Sequence, residues 1–164
     1  AGVEANIKWP NDVLVGGRKL AGILTEMEGE ADRVDWLVVG IGLNANVDPG
    51  AVPAENATSL HAECGGVDRR VLTQRLIEVL HDLHTDRDAI LPAWREYADT
   101  LGRRVRVETG DRTVEGRAVD VEYPGTVDVD AGDSVVAVAA GDCGHLRPAG
   151  GWAVSESPTK AGYA

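Results

Sequence analysis

Phenylalanine is absent from these 164 residues, and the other aromatics are four tryptophans and three tyrosines. A core must therefore be built from Val, Leu, Ile and Ala. Cysteine is nearly as scarce. Cys64 and Cys143 stand far apart with no CxxC spacing, which points to free thiols in a reducing compartment rather than a disulfide scaffold. No apolar run approaches the ~20 residues that span a bilayer, and no signal-peptide pattern opens the chain. Positive charge is also in deficit: 16 Lys and Arg against 27 Asp and Glu leave a formal net charge of −11. A surface of that sign argues against nucleic acid and anionic membranes as partners. Two nucleotide-binding signatures are missing as well. There is no Walker sequence, and after Gly40-Ile41-Gly42 a GxGxxG fingerprint would need glycine where Ala45 stands.

What is present is concentrated in residues 7–24, IKWPNDVLVGGRKLAGIL. Ile7, Trp9, Val13 and Val15 are apolar or β-branched, Gly16-Gly17 supplies a turn, and Leu20, Ile23 and Leu24 resume beyond it, as in a buried hairpin. Lys8, Asn11, Asp12 and Lys19 interrupt that pattern. A lysine inside a strand pair is costly to bury without an anionic partner. Arg18 and Lys19 after the turn, with Lys8 across the hairpin, therefore suggest a pocket for a carboxylate or phosphate. An ordinary hairpin with snorkelling lysines fits the pattern equally. Alternation turns Trp9 away from Lys8 into packing, and Arg18 is expected to be exposed.

Beyond it, 27–32 reads as a polar turn and 34–41 as a buried strand, making a three-strand antiparallel meander. That strand ends in GIGLN, where two glycines let backbone approach a flat ligand and Asn44 can pair with a base edge. A bulged strand end is the simpler alternative. A Pro/Gly-punctuated loop follows at 47–55, then a short helix near 58–64. Asp68 is placed to N-cap a helix over 69–86 with Val71, Leu72, Leu76, Val79, Leu80 and Leu83 on one face. His81 and His84 have metal-compatible spacing but no third ligand nearby, so exposed histidines are expected. A second helix at 89–101, with Pro92 near its start, packs Trp94, Tyr97 and Leu101.

From Gly102 the pattern changes to short alternating segments at 105–107, 114–121, 126–129 and 134–139, with a closing strand at 141–147 and His145 at the surface or rim. Tight turns separate them, which reads as a small SH3-like β-barrel. The fold class is α+β, with residues 1–101, 102–148 and a disordered tail at 149–164 as successive parts.

KWPND, followed by RKLAGIL and then by a strand ending in GIGLN, resembles the biotin protein ligases, the biotin–[acetyl-CoA-carboxylase] ligases, over about residues 7–46. The resemblance implies a partial class II synthetase-like mixed sheet with helices ahead of the barrel. It implies activation of biotin by ATP, with Mg2+ neutralising the pyrophosphate, and transfer to a lysine of a biotin carboxyl carrier domain of acetyl-CoA carboxylase or a similar carboxylase. In that family Lys19 contacts biotin and the activated phosphate, Lys8, Asn11 and Asp12 line the adenylate and acceptor-lysine side, and Asn44 faces the adenine end. Biotin's carboxylate and the α-phosphate repel each other, so a fixed cation where they meet speeds reaction, and Lys19 is the candidate, with Lys8 sharing the charge. Asp12 is the candidate to orient or deprotonate the acceptor amine; an Asx turn is its structural alternative. Arg104, Arg106 and Arg117 would either reach ATP or the carrier, or remain solvated.

Competing readings are a lipoate or octanoyl ligase relative, which shares the fold, and a non-catalytic carrier-binding module. The family's Gly/Arg-rich loop (GRGRxGR-like) is not in the chain and would precede residue 1, together with the strands carrying most of the biotin pocket; the winged-helix repressor domain of some relatives is not in the chain either. The first residue is Ala, inside an apparent strand. The expectation is therefore a truncated cytoplasmic ligase, weak or inactive alone.

Overall fold

The computed structural model describes residues 2–30, 33–51, 56–83 and 87–146. A turn at Trp9-Pro10-Asn11, with a cis Trp9–Pro10 bond, reverses the chain between β1 (Asn6–Lys8) and β2 (Asp12–Val15). Gly16 and Gly17, both at positive φ, reverse it again before β3 (Arg18–Glu30), a conformation that glycine adopts without strain. β4 (Arg33–Leu43) returns along β3. The sheet order is β1-β2-β3-β4 with every strand pair antiparallel. There are thus four strands where the pattern suggests three, because KWPND is itself a turn between strands. Among the described residues, parallel pairing is confined to isolated bridges, Ile7 to Ala98 and Lys19 to Ala57. The expected mixed sheet is reduced to those bridges, since turns this short join only antiparallel neighbours.

Two expectations for the β3–β4 ribbon need correction. The turn at 27–32 is shorter, because pairing persists to Glu30 opposite Arg33; backbone hydrogen bonds carry it where side chains show no alternation. The strand at 34–41 is not buried: Leu24 is 70% exposed, Val34 57%, and Trp36, Leu37, Val38 and Val39 are also open to solvent. Aliphatic content says what a strand can bury, but burial needs a covering layer, and no described element supplies one.

Three helices follow. Ser59 caps α1 (Leu60–Cys64), its Oγ accepting the Ala62 N–H at 3.2 Å. Asp68 starts α2 (Arg69–Leu83) as expected, its Oδ1 accepting the Arg70 N–H at 2.8 Å. Leu72 packs beside a small core of Val15, Leu20 and Leu60, whereas Val71, Ile77, Val79 and Leu80 are exposed. Residues 84–86, and with them His84, lie outside the described residues, as does the Leu83 side chain. α3 (Arg87–Tyr97) begins earlier than expected, carries Pro92 inside it and stops short of Leu101. Leu91, Trp94 and Leu101 pack against the second sheet, but Tyr97 is 42% exposed and does not join them.

β5 (Arg104–Glu108), β6 (Thr113–Glu122), β7 (Thr126–Asp130), β8 (Val135–Val138) and β9 (Asp142–His145) form an antiparallel sheet in the order β8-β7-β6-β5-β9. Buried and exposed residues alternate along β5 and most of β6, so one face supplies the core: Val105, Val107, Val114, Ala118, Val121, Val127, Val129, Val138 and Cys143. Each valine removed from water in this way contributes roughly 1.5–3 kcal/mol. Trp9 belongs to the same core, 2% exposed, with its Nε1 donating to the Gly125 carbonyl at 2.8 Å. The indole is therefore buried in the second sheet rather than beneath the first. Both cysteines are free, Cys64 exposed and Cys143 buried. Arg147 and the expected tail at 149–164 lie outside the described residues. Among the described residues no helix is long and apolar enough to cross a membrane.

Candidate functional site

The polar residues of KWPND and RKLAGIL converge through one irregularity. On β2 the neighbours Val13 and Leu14 pair with Ala21 and Lys19, so Leu20 is an extra residue on β3. Such a bulge re-aims a side chain. Lys19 and Gly22 would face opposite ways in a regular strand; here both lie opposite the Asp12/Leu14 face of β2, with Asp12 paired to Gly22. The Lys19 ammonium folds across to Asp12, Nζ to Oδ1 at 2.5 Å, and Lys8 Nζ stands 4.0 Å from Oδ2 of the same carboxylate. A Cβ built on Gly22 would sit 3.3 Å from both Cε and Nζ of Lys19. Glycine leaves the space this crossing uses.

Lys19 is fixed by its backbone too. Its N–H donates to the Asn56 carbonyl and its carbonyl accepts the Thr58 N–H, both at 2.8 Å. Its side chain remains 43% exposed but is directed to Asp12 rather than into open water. Two clefts meet at this lysine. One, of about 680 Å³, has a floor of Gly22, Gly40 and Gly42 with Asn11, Lys19 and Asn44 at its edges. The other, of about 470 Å³, has Lys8, Asp12 and Lys19 on one side and Asp99, Arg103 and His145 on the other. An ammonium at the junction can meet a carboxylate or phosphate lying along the glycine floor. The Asp12 carboxylate can receive an incoming amine from the second cleft.

The two asparagines are anchored through their nitrogens. Asn11 Nδ2 donates to the Ile23 carbonyl at 2.8 Å. Asn44 Nδ2 donates to the Thr58 carbonyl at 3.0 Å and lies 3.5 Å from that of Lys19. Arg18 is half-exposed but paired, its guanidinium 2.7 Å from Glu63 Oε1, and Glu63 also binds the Thr58 hydroxyl. Arg106 is paired with Glu115 and Arg117 donates to the Gly102 carbonyl. Neither lines these clefts, nor does Arg104; Arg103 does. Among the described residues no group of three His, Cys, Asp or Glu side chains is placed to hold a metal ion.

Gly22, Asp99, Arg103 and His145 were not legible as site residues. Asp99 and His145 stand 46 positions apart and meet only because β9 pairs with β5; no local spacing encodes that. Burial pushes the His145 imidazole pKa below its usual value, against the opposing pull of Asp99, with Arg103 and Lys8 adding to the depression. Burial likewise pushes the Cys143 thiol up to about 11.

Known proteins match two parts of this chain. The biotin/lipoate A/B protein ligase family profile matches residues 1–44, and the profile of the biotin protein ligase C terminal domain matches residues 100–146. The bifunctional ligase/repressor BirA of Bacillus subtilis is 33% identical over 151 residues, 87% of this chain and 46% of that protein. The biotin–[acetyl-CoA-carboxylase] ligase of Mycobacterium tuberculosis is 36% identical over 149 residues, 88% of this chain and 54% of that one. A mutant biotin protein ligase from Aquifex aeolicus, solved in complex with biotin, matches with a TM-score of 0.70 at 25% identity, over 88% of this chain and 63% of that chain. The chain spans about half the length of the curated relatives it matches. With both profiles in family order and the KWPND and RKLAGIL strands meeting at one lysine, the chain belongs to the biotin protein ligase family.

Proposed function

We propose that this chain carries part of the active site of a biotin protein ligase, acting in the cytoplasm. Biotin's carboxylate oxygen attacks the α-phosphorus of ATP, pyrophosphate leaves, and biotinyl-5'-AMP forms. A lysine amine of a biotin carboxyl carrier domain then attacks the acyl carbon, AMP leaves, and an amide results. The observation that carries this reading is the Lys19 ammonium, held against Asp12 at the junction of a glycine-floored cleft and a charged one.

Lys19 would bear the charge of the reacting carboxylate and phosphate, where a preorganised cation is worth more than in water. Lys8 shares the phosphate charge. Asn11 and Asn44 offer amide oxygens to the adenylate, Asn44 at the adenine end. Asp12 orients the carrier's lysine and takes its proton, from a position already shaped to hold an ammonium. Magnesium would enter with the phosphates of ATP and neutralise the leaving pyrophosphate; an ion of that kind keeps several waters and needs few protein ligands. Residues 1–101 are read as the later part of the catalytic domain, and the strands from 102 onward as an SH3-like barrel.

Calorimetry with a non-hydrolysable biotinyl-adenylate analogue tests the reading. The chain binds it, and Lys19→Ala weakens binding roughly ten- to a hundredfold, as for a hydrogen bond to a charged group. Equal affinities of native chain and variant would remove Lys19 from the site. A docking module without chemistry would bind the carrier unchanged by Lys19→Ala and form no adenylate.

A further inference from the structure

His145 lies on β9 of the second sheet but reaches into the first. The Thr100 hydroxyl is fully buried, and its Oγ1 accepts the Trp9 N–H at 2.9 Å. The same Oγ1 lies 3.1 Å from His145 Nε2. His145 Nδ1 faces Asp99 Oδ2 at 3.6 Å. A bare lone pair there would meet a carboxylate, so this network assigns the proton to Nδ1. Asp99 is fixed in turn: its backbone N–H donates to the Ile7 carbonyl at 2.7 Å, and its Oδ1 accepts from Arg103 at 2.5 Å. Asp99 and Thr100 therefore grip β1 at Ile7 and the turn after it at Trp9, the two residues flanking Lys8, and His145 braces both.

We propose that His145 is a positioning residue: as a neutral imidazole it locks Asp99 and Thr100 onto β1 and so fixes Lys8 over Asp12, a role that rests on the ligase reading for its chemistry. The charged groups around the ring are Asp99 and Arg103 ahead of β5 and Lys8 on β1, with Asp12 and Lys19 across the cleft. The ring's pKa is lowered, chiefly by burial. Below the ordinary histidine value of 6.5 the unfolded chain takes up the proton first, so this brace is complete above that pH and is lost as the pH falls through the folded value. The acid side of the cleft's working range is thus set from the second sheet.

The test follows the His145 ring nitrogens and Trp9 amide exchange by NMR on the full chain from pH 8 to pH 5. The Nδ1–H tautomer is expected at the alkaline end. His145→Ala speeds Trp9 exchange about fivefold, the worth of one net hydrogen bond. Protonation of the native ring does the same after correction for intrinsic exchange. His145→Gln, whose amide oxygen can accept from Thr100, restores protection and removes the pH step. In biotin transfer the same order appears in kcat, with His145→Ala down about tenfold or more and KM for biotin unchanged. Unaltered Trp9 exchange in a folded His145→Ala chain overturns the linkage, and unaltered kcat in a chain that transfers biotin overturns the positioning role. Intact coupling at Trp9 in a native chain that does not bind the biotinyl-adenylate analogue supports the linkage and overturns the ligase reading instead.

Discussion

Lys19 Nζ lies 2.5 Å from Asp12 Oδ1, joining strands β3 and β2 across the position of Gly22. The pair is partly exposed, so its worth to folding is small, within about 1 kcal/mol. Its worth to the reaction is separate, because the same carboxylate would receive the carrier's amine. Asp12→Asn is expected to leave the urea midpoint nearly unchanged. Transfer from preformed biotinyl-adenylate should fall about a hundredfold, the lower range for general base catalysis. Single-turnover transfer measured beside pyrophosphate release checks this, since adenylation should suffer less.

Gly22→Ala places a methyl carbon 3.3 Å from Lys19 Cε and Nζ and 3.5 Å from Asp12 Oδ1. The far end of a lysine can give way, so the fold should survive with a stability change near ±0.5 kcal/mol, typical of surface sites. The ammonium must give by a few tenths of an ångström, out of its present alignment with Asp12. Affinity for the adenylate analogue is expected to drop about tenfold, the lower range for a charged hydrogen bond, and calorimetry on the purified variant measures it.

Trp9 separates packing from hydrogen bonding. Trp9→Ala empties a site that is 2% exposed and is expected to cost about 3–5 kcal/mol. Trp9→Phe keeps most of the apolar volume and loses the donor to Gly125, a change of about 1 kcal/mol beyond any misfit. Urea unfolding followed by circular dichroism gives both values.

The cysteines are expected to differ in reactivity. Cys143 is 1% exposed and its thiol is pushed up to about 11, so at pH 8 only about one part in a thousand is thiolate. Cys64 is exposed. Iodoacetamide at pH 8 should label Cys64 alone in the folded chain and both residues in urea, as mass spectrometry of tryptic peptides would show.

The second sheet was the most legible part of the sequence, and for a physical reason. Val105, Val107, Val127 and Val129 alternate with polar residues because one face is buried and the other is wet, and each turn carries its own Gly, Asp or Pro signal. The first sheet hid more. A bulge at Leu20 leaves no mark on a hydrophobic pattern, yet it decides which way Lys19 faces. The apolar run in β4 reads as interior whether or not anything covers it. Lys8, Asp12, Lys19 and Asn44 were found through motif likeness, and the structure brings them around the two clefts. His145 and Asp99 carried no such signal, since their partnership depends on pairing between β5 and β9.

Trp9 belongs to one sheet by chain and to the other by packing. The two regions matched by separate family profiles are therefore not interchangeable cargo. A lineage that recombined its last five strands with those of a distant cousin would have to import a socket shaped for an indole, and a carbonyl where Gly125 offers one. Without both, the tryptophan beside Lys8 would be left stranded in water. Inheritance of the site is thus yoked to inheritance of its neighbour.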